Sequence, residues 1–500
     1  MNSETLIVAF PLIPLFALGV AVTVHLLLRR DISRHAVVAS HALQLAAGIM
    51  LLIAFRDAQG TVRIPLAKFA YSIEFAFDRH RLYFLAAYLT PLIFSVFRLR
   101  QLDSFLLRVI FLFYLGGCSG LIVAGDVFNF FVSYELMIMA AYVLIAVRRD
   151  YFASVKYMLF GAVSSAFFLA GIITLYASGE YLGFEFVDGA RSWPAGNFIW
   201  LMVFFSTAFF IKGAFFPVSS WVSTCHSATI SLVSAFLGSF TVFSGIFGLL
   251  YLVVKPAAAL DFQAVFVLVR GISLLTILLP GLFAFFEPDL KRIVAGSTVY
   301  TMGFIGLMLS YQLYDAALAY MVVHAVYKSL MFYLLDNVRL EGTTLTGRTS
   351  TFIAGAVCVL FTTGFFPSLV HFVKAPLLAE QMIYRMTAMT AMFLLAAGFL
   401  KYRRTVSDEP AETRVIALAG AGLLLYYFLF SSWTRPGIGG LLVEAGLLAA
   451  AFFGAPRLFT ALSRFSSLDR RWVFAGLNAE LFYVLLLFAF ALIVLMAGAN

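Results

Sequence analysis

Long apolar runs separated by short polar stretches recur along the whole chain. The runs fall at 5–28, 35–55, 80–98, 105–124, 127–147, 156–177, 198–222 and 228–254. They continue at 263–286, 291–312, 315–337, 352–380, 382–401, 413–432, 437–457 and 474–497. A helix of about 20 apolar residues crosses the hydrocarbon core, so the pattern predicts an all-α polytopic membrane protein with about 14–16 transmembrane helices. The last two runs are the ones that need not cross fully. Outer-membrane strands would alternate with period 2, which these continuous runs exclude. One stretch differs. RDAQGTVRIPLAKFAYSIEFAFDRHR (56–81) mixes short apolar and polar pieces around a proline and reads as an extracytoplasmic hairpin.

The loops carry a charge bias. Alternate loops hold Arg29, Arg30 and Arg34; Arg98, Arg100 and Arg108; Arg148, Arg149 and Lys156; Lys291 and Arg292; Arg339 and Arg348; Lys401, Arg403, Arg404 and Arg414; and Arg457, Arg464, Arg470 and Arg471. Most of the chain's 34 basic residues lie on that side. Positive loops stay in the cytoplasm, so both termini are expected outside, in the cytoplasmic membrane of a bacterium or archaeon. A miscounted span would break the alternation.

Composition agrees: 63% of the 500 residues are hydrophobic and 12% charged. The net charge of +9 is accounted for by the loop bias, and no basic patch interleaved with aromatics suggests nucleic acid. The 56 phenylalanines are expected to be lipid-facing bulk. Cys118, Cys225 and Cys358 form no CxxC pair and have no histidine at zinc spacing, which points to buried thiols and to no metal or cofactor. The first apolar run is longer than a signal-peptide core and lacks a basic flank, so it reads as a retained helix.

Four charges stand inside apolar runs: Glu135, Lys212, Lys328 and Lys374. A charge at the bilayer centre costs about 3 kcal/mol on insertion scales, so such residues face protein or a wet cavity and mark ion routes. Glu135 reads either as half of a structural ion pair or as a carboxylate tuning a lysine across a gap. Desolvation favours a neutral lysine and a nearby carboxylate favours a charged one, so the pair can switch a proton on and off. Lys212 lies too deep to snorkel easily, whereas Lys374 lies nearer the end of its span. His324 and Lys328, four residues apart, share a helix face and suggest either a hydrated relay or a hydrogen-bonded core pair. Arg270 fits an ion pair or a snorkelled helix end.

KGAFFPVSSWV (212–222) and TGFFPSLVHFVK (363–374) echo each other. Pro217 and Pro367 each remove a backbone hydrogen bond in mid-membrane and should break their helices. Paired broken helices point to ion sites near the midplane. Walker, GxGxxG, HExxH and GxSxG motifs are missing, so no catalytic site is expected and the driving force must come from an ion gradient or a partner subunit.

Six ordered strings then carry a resemblance: GDVFNFFVSYELMIMAAYVLI, VKYMLFGAVSSAFFLAGI, IKGAFFPVSSWVSTCHSATISLVSAFLGS, DLKRIVAGSTVYTMGFIGLML, AYMVVHAVYKSLMFYLL and GFFPSLVHFVKAPLL. From about residue 105 to 380 the chain resembles the antiporter-like membrane subunits shared by respiratory complex I, Mrp-type cation/proton antiporters and membrane-bound energy-converting hydrogenases. The GDVFNFF form is most similar to the Mrp and hydrogenase branch. The resemblance implies two inverted five-helix repeats, each with a broken helix, at 105–254 and 263–401, between N-terminal helices (1–104) and C-terminal helices (402–500). It places the family's carboxylate on Glu135, its broken-helix lysines on Lys212 and Lys374, and its central relay on His324 and Lys328. One departure stands out: Phe243 occupies the position of a bridging lysine, and HSATISLVSA lacks the prolines usual there. Hydroxyls of Ser239, Thr241 and Ser244 can hold water in its place, or the axis is cut.

The resemblance implies a proton-translocating subunit, or a sodium/proton antiporting one, working with other membrane subunits of such an assembly and with the bilayer. The alternative is a non-conducting structural or coupling subunit, or the membrane partner of an inorganic-carbon uptake system. Phe243 favours that alternative; the retained buried charges oppose it.

Overall fold

The computed structural model describes residues 3–57, 62–65, 73–179, 182–186, 190, 193–287, 289–341 and 477–498. Lys374, Pro367 and the part of the expected second repeat beyond residue 341 lie outside the described residues. Among these, nine helices are long and apolar enough to cross a membrane, and the protein is an integral multi-pass membrane protein. The helices are α1 (Ser3–Leu28), α2 (Ser33–Phe55), α3 (Arg79–Ser95), α4 (Phe105–Val123), α5 (Val127–Ile145), α6 (Tyr151–Gly179), α7 (Ala195–Lys212) and α8 (Ser220–Ala228). They continue as α9 (Ser231–Ala259), α10 (Gln263–Phe286), α11 (Leu290–Ser310), α12 (Tyr314–Glu341) and α13 (Leu477–Ala497).

The all-α expectation needs one amendment, in the segment read as a hairpin. Strands β1 (Val62–Pro65) and β2 (Glu74–Phe77) pair antiparallel, with Val62 opposite Phe77. β2 bridges to Ala124 beyond α4, and Asp126 bridges to Gly183. These contacts tie together loops that the charge alternation puts on one side. At the other end, Arg108 pairs with Asp31 at 2.9 Å, Gln101 bonds Ser231, and Lys291 donates to the Thr229 carbonyl at 2.7 Å.

Helix starts follow from capping. Asp78, Ser104, Asp126 and Asp289 accept backbone N–H bonds at the first turns of α3, α4, α5 and α11. α9 is the axis of the bundle: every residue from Ser231 to Val254 is buried. A helix apolar all round is stable only when surrounded. It carries two π-helical turns, Leu237–Thr241 and Leu249–Val254, flanking Phe243. Such turns are frequent at functional sites. α13 packs on α7 and α10, with Phe488 against Phe167 and Phe204.

The phenylalanines correct the sequence reading. Phe130, Phe168, Phe205, Phe209, Phe236, Phe240 and Phe247 are fully buried and interlock edge-to-face or stacked. Phe16 and Phe97, 75% and 78% exposed, are among those that face outward. Aromatic pairs gain from mutual packing beyond area burial, which draws rings into the core as well as onto the lipid face.

Candidate functional site

α7 ends at Lys212, five residues before the proline. Pro217 has no N–H, and its ring disfavours helical backbone at the residue before it. The chain turns at once through Ala214, whose φ is 58°, and restarts as α8. Groups freed by the break find partners. Trp221 Nε1 donates to the Ile211 carbonyl at 3.1 Å, and the Phe216 N–H donates to Thr276 Oγ1 at 3.0 Å. A helix can be interrupted inside a membrane only where the protein supplies such partners. Gly245 of α9 makes this approach possible, because a Cβ there would lie 2.2 Å from the Gly213 nitrogen. Gly245→Ala is therefore expected to destabilise the protein by about 1–3 kcal/mol. Gly271→Ala, with nothing within 4 Å, is expected to be neutral or stabilising. Thermal unfolding in detergent checks both.

Lys212 is buried at the C-terminal end of α7, where the helix dipole favours a cation. Its Nζ donates to Tyr157 Oη at 2.7 Å and lies 5.3 Å from the Tyr134 ring centre and 4.8 Å from that of Tyr157. Glu135, half-buried on α5, accepts from Ser165 of α6. Glu135 and Lys212 sense each other's charge but form no ion pair within 4 Å among the described residues. Beside them, Ser164 Oγ donates to the Ala208 carbonyl at 2.8 Å, so the 2.5 Å contact from Tyr134 Oη must be donated by the tyrosine.

His324 and Lys328 are fully buried on α12. Lys328 Nζ donates to the Val294 carbonyl and to Ser297 Oγ of α11. His324 Nε2 must donate to the Gly238 carbonyl (2.9 Å), while Nδ1 lies 2.8 Å from Tyr327 Oη. Tyr327 Oη is 3.0 Å from Thr301 Oγ1, which donates to the Ser297 carbonyl. The set holds either protonation state. Neutral His324 accepts from Tyr327; protonated His324 donates to Tyr327, which then donates to Thr301. One proton on Nδ1 thus turns the Tyr327 hydroxyl from His324 to Thr301 without moving a heavy atom.

Residues 124–354 match the family described as NADH:quinone oxidoreductase/Mrp antiporter, transmembrane. That match spans just under half of the chain. The chain is 26% identical over 302 residues to NAD(P)H-quinone oxidoreductase chain 4-3 of Nostoc sp., covering 56% of this chain and 53% of that one. It is 30% identical over 280 residues to NADH-quinone oxidoreductase subunit N of Desulforudis audaxviator, covering 53% and 54%. The chain therefore spans about half the length of the curated relatives it matches. In fold it is similar to a chain of the membrane-bound sulfane sulfur reductase, an archaeal respiratory membrane complex (TM-score 0.71, 19% identity, 91% of this chain and 98% of that one). It is also similar to a chain of the Mrp complex of Dietzia sp. (TM-score 0.68, 21% identity, 79% of each).

Among the described residues, those singled out from the sequence form two clusters, Glu135 and Lys212 with Tyr157 and Ser165 of α6, and His324 and Lys328 with α9 and α11. Phe243 stands at the second, its ring 5.5 Å from that of His324 and at 65° to it. The expected water-holding hydroxyls turn back onto backbone carbonyls. Ser239 donates to Ala235 and Ser244 to Thr241, while Thr241 Oγ1 meets Tyr114 Oη at 2.5 Å. Local bonds of this kind satisfy a helix serine without a partner helix. Arg270 stacks on Tyr311 at 4.1 Å and donates to the Ser310 carbonyl at the end of α11, with no ion pair among the described residues.

The sequence reading missed three features. His226, set aside beside Cys225, is fully buried, stacked 4.5 Å from Phe332, with neither ring nitrogen hydrogen-bonded among the described residues. It abuts Gly238, whose carbonyl holds His324. A polar ring one turn past a membrane break was the available signal. Lys291, read as a loop cation, is buried. At the hairpin end a buried cluster joins Asp78, Arg81, Tyr251, Lys255 and His80. Tyr251 Oη donates to the Asp78 carboxylate at 2.7 Å, and Lys255 Nζ lies 3.2 Å from His80 Nδ1. Burial alone would raise the Asp78 pKa; Arg81, Lys255 and the Tyr251 hydroxyl outweigh it and hold it below the ordinary carboxylate value.

Proposed function

We propose that this chain moves protons across the membrane as a subunit of a multisubunit complex, in the cytoplasmic membrane of a bacterium or archaeon. Lys212 takes and releases a proton under the control of Glu135, and His324, Lys328 and Lys374 continue the route. His226 adds a titratable group beside Gly238, on the side of α9 where Phe243 supplies none. The observation that carries the reading is Lys212 itself: a buried cation at a helix break, bonded to one hydroxyl and faced by a carboxylate it does not touch. A structural ion pair would close to contact distance; a pair held apart leaves each charge free to follow the other's protonation.

Phe243 against His324 favours a second reading, a coupling subunit whose two clusters no longer communicate. Proton-gradient formation or dissipation in membrane vesicles bearing the native complex separates the two. Glu135→Gln and Lys212→Ala are expected to abolish it with assembly intact. Unchanged transport in both variants would make the chain a scaffold.

A further inference from the structure

A cavity of about 480 Å³ opens between α2 and the 3-10 stretch Val96–Gln101 that follows α3, at the end where the basic loops gather. Val37, Val38, Leu45 and Phe97 form an apolar wall, and Arg34 and Arg100 stand among its lining. Val38 and Phe97 are 51% and 78% exposed, so the wall opens sideways onto the face that lipid covers. The remaining cation, Arg108, is already engaged by Asp31, Ser33 and the carbonyls of Leu102 and Asp103. That engagement also occupies Asp31, the neighbouring carboxylate. Arg34 and Arg100, both exposed, make no ion pair among the described residues. His41 closes the floor, bonded to Ser95 and the Val37 carbonyl and so fixed in place.

Two guanidinium groups above an apolar groove at the membrane interface are complementary to one kind of molecule. A phosphate takes the forked donors and an acyl chain takes the wall. The volume falls within the range of small-ligand sites. We infer that this cavity binds one anionic glycerophospholipid, its phosphate on Arg34 and Arg100 and a chain along Val38 and Phe97. Neither the ion route nor the family likeness bears on this assignment.

The test is native mass spectrometry of the purified chain, stripped of lipid and titrated with dioleoylphosphatidylglycerol or dioleoylphosphatidylcholine. One phosphatidylglycerol should be retained in preference. Arg34→Ala with Arg100→Ala should weaken it about 30-fold, from about 1 kcal/mol per arginine near the surface, and leave phosphatidylcholine unchanged. Val38→Trp, which fills the groove and keeps both arginines, should also displace the lipid, whereas Arg149→Ala, at the same end but off the cavity, should not. Equal retention of both lipids, unchanged binding in both cavity variants, or displacement by millimolar inorganic phosphate would overturn the assignment. So would a double arginine variant that keeps its lipid but no longer assembles with other membrane subunits, which would make this face a protein interface.

Discussion

Arg81→Ala is expected to destabilise the protein by about 3–5 kcal/mol, the cost of removing one partner from a buried charge pair. The side chain is 1% exposed. Its Nη1 donates to the carbonyls of Ile122 and Ala124 at 2.8 and 2.6 Å, capping the C-terminal end of α4, where a cation is favoured. It lies 3.7 Å from Asp78 and 5.2–5.5 Å from the ring centres of Phe184, Phe247 and Tyr251. Alanine would strand two carbonyls and weaken the compensation of a buried carboxylate. Lysine has one ammonium in place of a planar fork, cannot reproduce both carbonyl bonds and the stacking, and should recover only part of the loss. Thermal unfolding in detergent measures this. A midpoint within a degree of wild type for Arg81→Ala would show that the cluster contributes little.

Lys328→Met separates chemistry from folding. The thioether side chain has nearly the lysine's shape and no charge. Two donated bonds are lost, leaving the Val294 carbonyl and Ser297 Oγ with fewer partners at about 1–3 kcal/mol each. Against this, the variant no longer buries an ammonium, whose effective penalty is several kcal/mol. The two effects nearly offset, so stability should change little. A positioned proton donor or acceptor is worth about 10²–10⁴ in rate, so transport by the complex should fall about 100-fold or more. Wild-type transport in a well-folded Lys328→Met protein would remove this residue from the route.

Much of this architecture is legible in the sequence because lipid imposes simple rules. The apolar runs locate α1 to α6 and α13 within a few residues, and the loop charges correctly group Arg108 with Asp31 and Gln101 with Ser231 at one end. Pro217 announces the break. It does not announce that the helix stops at Lys212, which depends on Gly245 letting α9 close against Gly213. Lys156 and Lys291 illustrate the converse error: a basic residue at the end of an apolar run reads as a loop cation until a neighbouring helix covers it.

The sequence by itself determined that this is a helical membrane bundle with charges buried in it, since hydropathy and the cost of a charge in lipid act residue by residue. It also singled out Glu135, Lys212, His324, Lys328 and Phe243. Only the tertiary structure decided which of these meet. It holds Glu135 and Lys212 apart, places Phe243 on His324, brings His226 against Gly238, and builds a charged cluster from Arg81 and Asp78 at the start of α3 and Lys255 of α9. Contacts of that kind depend on side-chain packing between segments distant in the chain, and no periodicity within one helix encodes them.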